Sequence, residues 1–554
     1  MNQLTDMSKC TPASALSTGR KKGHWCLLPY DAEGVSGTML GAGELTDAPD
    51  VTLPLGVSGW HGIHIGFWAP AIHEARPTII KLKLTGDDIF HRIWHQPDNV
   101  SWLQTELHET FWTYADLTDR GLVIGQQKKG FAAALHIAYV KLEPLSPERV
   151  AALEQDRGRT DTRRVVALND GCSFIHRDGC TTEEELLEQV ELYRHSDVGT
   201  VSWAVNYGET TNFPSNVGTM VGTGYDDFET IGNRSMVESL RTLVEQGIVP
   251  FESAMRHVHS MGIKFHAQFR LGMLAGEIFT TEAQGAFSRN HPEFRIVDRD
   301  GTALPKLSYA FPEVRNLMLS LIAEVLERDV DGIDLCYIRG PMYVGYEATV
   351  IEEFKQAHGV DPREIDEKDE RWIRHKAGYV TQFARDVRTL VDDAGARRGR
   401  KLEVAAQPYW TEALNLHHGL DVRTWLNEGL VDTLQMGPRD EAMLALIKAH
   451  NCELVANVGA RIPENYIKFG LDGYDAGAVG IGIWDMNVPQ YNPEHWEILR
   501  NLGHRDKVEA YAQSLPKMKS IKLKSVGEMD FCHTTNKDTP EDWPPEMITQ
   551  ITCG

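Results

Sequence analysis

From Val165 onward, short apolar runs alternate with long helical stretches, and this alternation limits the fold more than any other feature of the sequence. Eight runs read as strands: Val165–Asp170, Thr200–Tyr207, Ile263–Arg270, Gly332–Arg339, Leu402–Tyr409, Asp432–Met436, Glu453–Val458 and Val479–Asn487. Helical stretches such as Val314–Arg328, Arg371–Ala394 and Glu441–Ala449 lie between them. Strands joined through helices make a parallel sheet, because a parallel pair needs a long crossover. Eight strand–helix units over residues 165–506 predict a (β/α)8 TIM barrel. A doubly wound open sheet is the alternative, but no GxGxxG follows the first strand.

The chain before residue 146 has a different texture. Residues 1–22 are polar and are expected to be disordered. Residues 23–145 hold β-branched and aromatic runs, such as Thr78–Leu84 and Ala134–Leu142, separated by Gly, Pro and Asp turns. They predict a jelly-roll-like β-sandwich, so the chain reads as a multidomain β plus α/β protein. Trp60, Trp68, Trp94, Trp102 and Trp112 are expected to be mostly core, with sugar stacking as the alternative role. Residues 146–164 are a charged linker, and 507–554 an appended extension. Within the extension, Ile521–Val526 reads as a strand able to return to the sandwich, and the tail 536–554 is rich in Pro and Thr.

Composition narrows the partners. The chain of 554 residues carries a formal charge of −23, which disfavours a nucleic-acid backbone or an anionic membrane as partner. No run of about 18 apolar residues marks a membrane span. The eight cysteines form no CxxC pair and read as reduced thiols, and the N-terminal stretch lacks the apolar core of a secretory signal. A cytoplasmic location follows as the expectation. Homo-oligomerisation is left open.

Active sites of this barrel fold lie at the C-terminal ends of the strands. Polar residues gather there. Strand three offers His266, Gln268 and Arg270, strand four Asp334, and strand five Gln407 and Tyr409. Asn206, Gln435, Asn457 and Asp485 close strands two, six, seven and eight. Each alone is as readily a satisfied core group, but a polar residue on nearly every strand suggests a hydroxyl-rich ligand. Trp203, Tyr337, Tyr409, Trp410 and Trp484 accompany the ring, and flat aromatic faces beside amides and carboxylates are how a sugar is gripped. Carbohydrate is the expected substrate. No HExxH supports a metal site, His257 and His259 face apart on a helix, and the Gly-rich run Val217–Gly224 lacks the Lys of a P-loop. No metal or cofactor is expected.

The segment Asp331-Gly332-Ile333-Asp334-Leu335-Cys336-Tyr337-Ile338-Arg339-Gly340-Pro341, followed by Tyr343-Val344-Gly345-Tyr346-Glu347, resembles the strand-four signature of glycoside-hydrolase-like barrels. Gly262–His266, His291–Arg295, Asp298–Gly301, Leu307–Arg315 and His358–Pro362 are similar to motifs of the glycosyl-hydrolase-10-like family. The resemblance covers roughly residues 165–490 and implies a glycoside hydrolase acting on an oligo- or polysaccharide. Such chemistry needs two carboxyl groups. Asp334 is the first candidate, placed inward by the family pattern; Asp485 and Glu347 follow, with Asp170 and Glu209 as outsiders. Asn206, His266, Gln268, Arg270, Tyr337, Arg339, Gln407, Tyr409, Trp410, Gln435, Asn457 and Trp484 are the expected substrate-binding set.

Two departures bear on mechanism. The DxxDxDxE motif of chitinase-like barrels would put its acids at Cys336 and Ile338, so that mechanism is absent. The retaining clan ends strands four and seven in Glu, whereas here strand seven ends in Asn457 and its only Glu, Glu453, lies near its start. Tyr337 with Arg339 therefore opens a lyase alternative, in which a tyrosine base and an arginine serve β-elimination from a uronic acid. A carbohydrate-binding protein without turnover is the third reading.

Overall fold

The computed structural model describes residues 2–69, 77–96, 105–128, 134–158, 163–228, 230–273, 285–340, 342–459, 463–486, 492–527 and 529–530. Trp102, Pro341, Asn487 and the tail 536–554 lie outside them. The chain forms two compact units. One comprises Met1–Arg159, Val488–Ile498 and Ser514–Gly554, and the other Thr160–Asn487 and Leu499–Gln513.

The N-terminal unit is built from antiparallel sheets. In Thr78–Leu84 the period of two is plain: Ile80, Leu82 and Leu84 are buried while Lys81 and Lys83 reach solvent. This strand belongs to a four-stranded sheet with Val51–Pro54, Gly121–Gln126 and His91–His95. In the larger sheet, strands pair in the order Trp25–Ala32, Val35–Ala42, Leu135–Pro144, Trp60–Trp68, Glu106–Asp116, Lys519–Val526. The last strand also pairs back onto the first, through Leu523↔Ala32 and Val526↔Tyr30, so the path closes into a ring. Two cores result. One draws Ile63, Ile65 and Phe67 from the large sheet and Leu82, Leu84 and Ile124 from the small one. The other gathers Tyr30, Met39, Trp68, Tyr139, Leu523 and Val526. Trp94 and Trp112 are buried, as is Trp68, and Trp60 is half-buried.

Residues 1–22 are not the free arm that their polarity suggests. Asn2–Leu4 pairs with Val140–Leu142, and Met7, Cys10 and Ala15 are buried in the shared core. A few apolar side chains at wide spacing anchor this segment, too sparsely to show a period. The extension also divides differently. Helix Arg505–Gln513 joins the barrel unit, where its buried Val508 packs beside helix Pro463–Asp475, close enough that a Cβ added at Gly470 would lie 3.7 Å from Val508 Cγ1, and only the strand beyond it joins the sheets.

Eight parallel strands close the second unit into a barrel: β1 (Val165–Asn169), β2 (Val198–Ala204), β3 (Lys264–Arg270), β4 (Gly332–Cys336), β5 (Glu403–Gln407), β6 (Thr433–Met436), β7 (Glu453–Val458) and β8 (Gly480–Trp484). Closure runs through β1 and β8, with Leu168 opposite Trp484. The interstrand helices are amphipathic, and several begin on a side-chain cap: Thr182 accepts from Glu185 N, Thr230 from Asn233 N and Asp440 from Met443 N. Among the described residues no helix is long and apolar enough to cross a membrane.

Candidate active site

Successive side chains of a strand point to opposite faces. On β4 this turns Asp334 and Cys336 into the barrel and Leu335 outward. Asp334 is completely buried, and three donors converge on its Oδ2: Ser202 Oγ at 2.5 Å, Gln407 Nε2 at 2.7 Å and Gln435 Nε2 at 3.2 Å. Gln268 Nε2 in turn donates to Ser202 Oγ at 3.3 Å. Burial pushes the Asp334 carboxyl above its ordinary range, and these hydrogen bonds pull against the rise.

The cluster has a consequence for what can bind. Gln407 and Gln435 give Nε2 to Asp334, which fixes the orientation of each amide. The Oε1 atoms of Gln268, Gln407 and Gln435 and the Oδ1 atoms of Asp334 and Asn457 are then buried without a donor among the described residues. A floor of acceptors is met by a ligand that donates hydrogen bonds, as hydroxyl groups do. Asn457 holds its place by donating Nδ2 to Gln435 O at 3.1 Å. Gly482 on β8 makes room for it, since a Cβ there would lie 2.2 Å from Asn457 Oδ1.

One layer nearer the mouth, Arg270 lies in register with Cys336, and Cys336 with Gln407. The Arg270 guanidinium sits over the Tyr207 ring at 4.9 Å and 3.9 Å from Asp170 Oδ2. Asp170, just past β1, accepts through Oδ1 from Cys172 N at 3.0 Å and Ser173 N at 2.7 Å, and through Oδ2 from the Ser173 hydroxyl. These bonds hold the turn that enters helix Ser173–Asp178, whose N-cap residue is Cys172. Asp485, just past β8, adopts a left-handed backbone (φ 50°), a conformation that Asp tolerates better than most residues. Its N–H donates to Leu168 O at 2.7 Å. Burial, and next the charge of Asp170, push its carboxyl up to about 6, while Arg270 and Arg339 pull it down. Its Oδ1 is buried without a partner among the described residues.

Aromatic faces surround this rim. Arg339 lies over the Trp484 ring at 5.3 Å, and Arg439 over the exposed Trp410 at 5.9 Å. The Tyr409 ring meets His418 at 4.7 Å, and its backbone is held on both sides by Asn415. The rim thus offers carboxyl groups, a cation and flat apolar surfaces above the acceptor floor.

Several expected site residues lie elsewhere. Tyr337 follows Cys336 and so faces outward, fully buried between Tyr343 (5.6 Å) and Trp425 (5.1 Å); burial pushes its phenol far above the ordinary range. It is not a base at the mouth. Trp203 likewise faces outward, packed on Phe174 at 5.5 Å and Phe265 at 6.4 Å. Asn206 is consumed by the backbone, accepting from Arg270 N at 2.9 Å and donating to Gly208 O at 2.6 Å. His266 is opposite the first residue of β4 and 3.2 Å from Glu403 at the start of β5, which puts it at the base of the barrel. Glu347 does not swing over the mouth: it is buried, both carboxylate oxygens accept from Gly345 N at 3.0 Å, and helix Ala348–His358 starts beyond it. Glu209 is similarly enclosed by Gly285 N and Ser288 N. His257 and His259 part to Glu191 and Asp331, and no group of three or more metal-ligating side chains occurs among the described residues.

The site also includes residues the sequence did not single out. Ser202, Cys172 and Tyr207 belong to it, and Asp170 moves from the margin to the rim. The signal for Ser202 was present: period two on β2 turns Ser202 inward if Trp203 faces out.

Among solved structures, the chain is similar to α-L-fucosidase isoenzyme 2 from Paenibacillus thiaminolyticus at 16% identity and TM-score 0.41, covering 63% of this chain and 50% of that one. It therefore spans half the length of that enzyme. It is also similar to the catalytic domain of a β-amylase from Paenibacillus polymyxa at 10% identity and TM-score 0.41, covering 62% of this chain and 98% of that one. No curated protein sequence matches the chain. Residues 184–437, from the helix before β3's partner strand β2 to the end of β6, match the family described as Glycosyl hydrolase-like 10, the family that the strand-three and strand-four motifs resemble.

Proposed function

We propose that the barrel hydrolyses a glycosidic bond of an oligo- or polysaccharide, with Asp485 as general acid and Asp170 as the second carboxylate. The observation that carries this reading is the meeting of Asp485, Asp170 and Arg270 at one rim above a floor of unpaired acceptors. The family match supports the glycosidase-like class.

The chemistry divides among these groups. Asp485, with its carboxyl raised to about 6, holds a proton that it gives to the glycosidic oxygen as the bond to the anomeric carbon breaks. Water adds to that carbon and passes a proton to Asp170, which releases it to solvent while Asp485 regains its own from solvent. Arg270 keeps the two carboxylates at one site by offsetting their charge. Tyr409, Trp410 and Trp484 stack on sugar faces, and the oxygens of Gln268, Asp334, Gln407, Gln435 and Asn457 accept from hydroxyl groups. Asp334, one layer below the rim, serves as floor and hub rather than as proton donor. The lyase alternative loses its base with Tyr337 outside the barrel.

One observation favours the reading without turnover: both Asp170 oxygens already have partners in the turn that enters the helix. Incubation with a broad oligosaccharide panel, followed by mass spectrometry, separates the readings. Products that gain one water per cleavage, and vanish with Asp485→Asn, support hydrolysis. Binding without product across the panel supports the alternative. The antiparallel sheets over one core support a jelly-roll-like sandwich as the accessory unit. Among the described residues no disulfide joins the six cysteines, which supports a cytoplasmic setting fed by imported oligosaccharides.

A further inference from the structure

The N-terminal unit has a cavity of about 560 Å³ of its own, within the ordinary size of a small-ligand site. Its rim carries Arg20, Lys21 and Lys22 in succession, against a single lining carboxylate, Glu44. In a chain of net charge −23 this is a local reversal of sign. Among the described residues none of the three cations forms an ion pair. Charge alone would be a solvated edge.

A second feature points inward. His136 lines the cavity at 6% exposure, and its Nδ1 is buried without a partner among the described residues. A buried polar nitrogen in that state is costly unless a ligand meets it. The imidazole is held edge-on against Trp68, with ring centroids 5.1 Å apart. Gly41 on the neighbouring strand leaves it room, since a Cβ there would lie 2.5 Å from His136 Cδ2. Burial, and then the Arg20 charge, lower the imidazole to about 4, so it is neutral and Arg20 lies within electrostatic reach. An anionic oxygen would take a hydrogen bond from the ring and attraction from the rim. Leu28, Trp68 and Pro77 give an apolar wall, and Thr46 and Thr78 add hydroxyls.

We propose that this cavity binds an acidic sugar through its carboxylate or sulfate group. The anion half of the inference stands on the cavity alone; the sugar half rests on the glycosidase reading of the barrel. Calorimetric titration of the intact protein and of its Asp485→Asn form with oligogalacturonate, a sulfated oligogalactan, a neutral oligogalactan and sodium sulfate tests it. One acidic oligosaccharide is expected to bind at least about tenfold (~1.4 kcal/mol) more tightly than the neutral one and than sulfate, equally in both forms. The Arg20→Ala, Lys22→Ala pair is expected to cost about tenfold in affinity with an unchanged melting curve. His136→Gln should weaken binding as well, and ligand should shift the His136 ring resonances in the unsubstituted protein.

No binding by either acidic oligosaccharide overturns the proposal, as does equal binding of the neutral one. Sulfate binding as tightly as the acidic sugars overturns the sugar half. Affinity that survives the Arg20 and Lys22 substitutions places the acidic sugar outside this cavity and overturns the cavity assignment, whether or not Asp485→Asn changes it. Absence of turnover by the barrel leaves this binding result untouched, so the two failures are distinguishable.

Discussion

Asp485 takes its proton affinity from its surroundings: burial and Asp170 raise it, and two arginines restrain it. Its acid form predominates below about pH 6, so kcat/KM is expected to fall as pH rises through about 6. The same shift bears on folding with a definite sign. A carboxyl raised in the folded state stabilises fully below its ordinary value of 3.8, and that contribution is lost as pH rises through about 6. Asp485→Asn is expected to lower kcat by about 10²–10⁴ with little change in KM, and a pH–rate profile would show the limb near 6 removed. Asp334 behaves differently. Asn at this position keeps an oxygen for the three donors and is expected to fold normally. Asp334→Ala strands Ser202, Gln407 and Gln435 and should cost roughly 2–5 kcal/mol in a denaturant melt.

At the scale of the element, one rule made the barrel legible and also marks where reading stopped. The apolar runs and their helices gave eight strands because each pattern is local, a matter of neighbours three or four residues away. Period two also sorts faces: Asp334 and Cys336 inward means Tyr337 outward, and the same logic separates Ser202 from Trp203. Those assignments were available in the sequence. The carboxylate pair was not, because Asp170 and Asp485 follow the first and last strands and become neighbours only when β1 pairs with β8. Nor was the commitment of Asn206 and Glu347 to backbone groups, since an amide or carboxylate reads alike whether it meets ligand or main chain. Gly482 shows how finely a strand is fitted to the site. Gly482→Ala would press on Asn457 and is expected to cost roughly 1–3 kcal/mol in thermal stability, with a raised KM.

At the scale of the whole molecule, the chain leaves its N-terminal unit, builds the barrel and returns. Lys519–Val526 supplies both the closing strand and core residues, Leu523 and Val526, to sheets whose other long strands all lie before residue 145. A fragment ending at residue 159 is therefore expected to bind a hydrophobic dye and melt without a sharp transition, whereas Leu523→Ala in the intact protein should cost about 2–5 kcal/mol. The closing strand also sets an order in time. A ribosome adding about 5–20 residues per second needs roughly 20–75 s to pass from the end of the sheets to their last strand. Through that interval the newborn chain shows an open strand edge between Trp25–Ala32 and Glu106–Asp116, so a nascent-chain chaperone would find its longest-lived target in the part of the protein that is synthesised first.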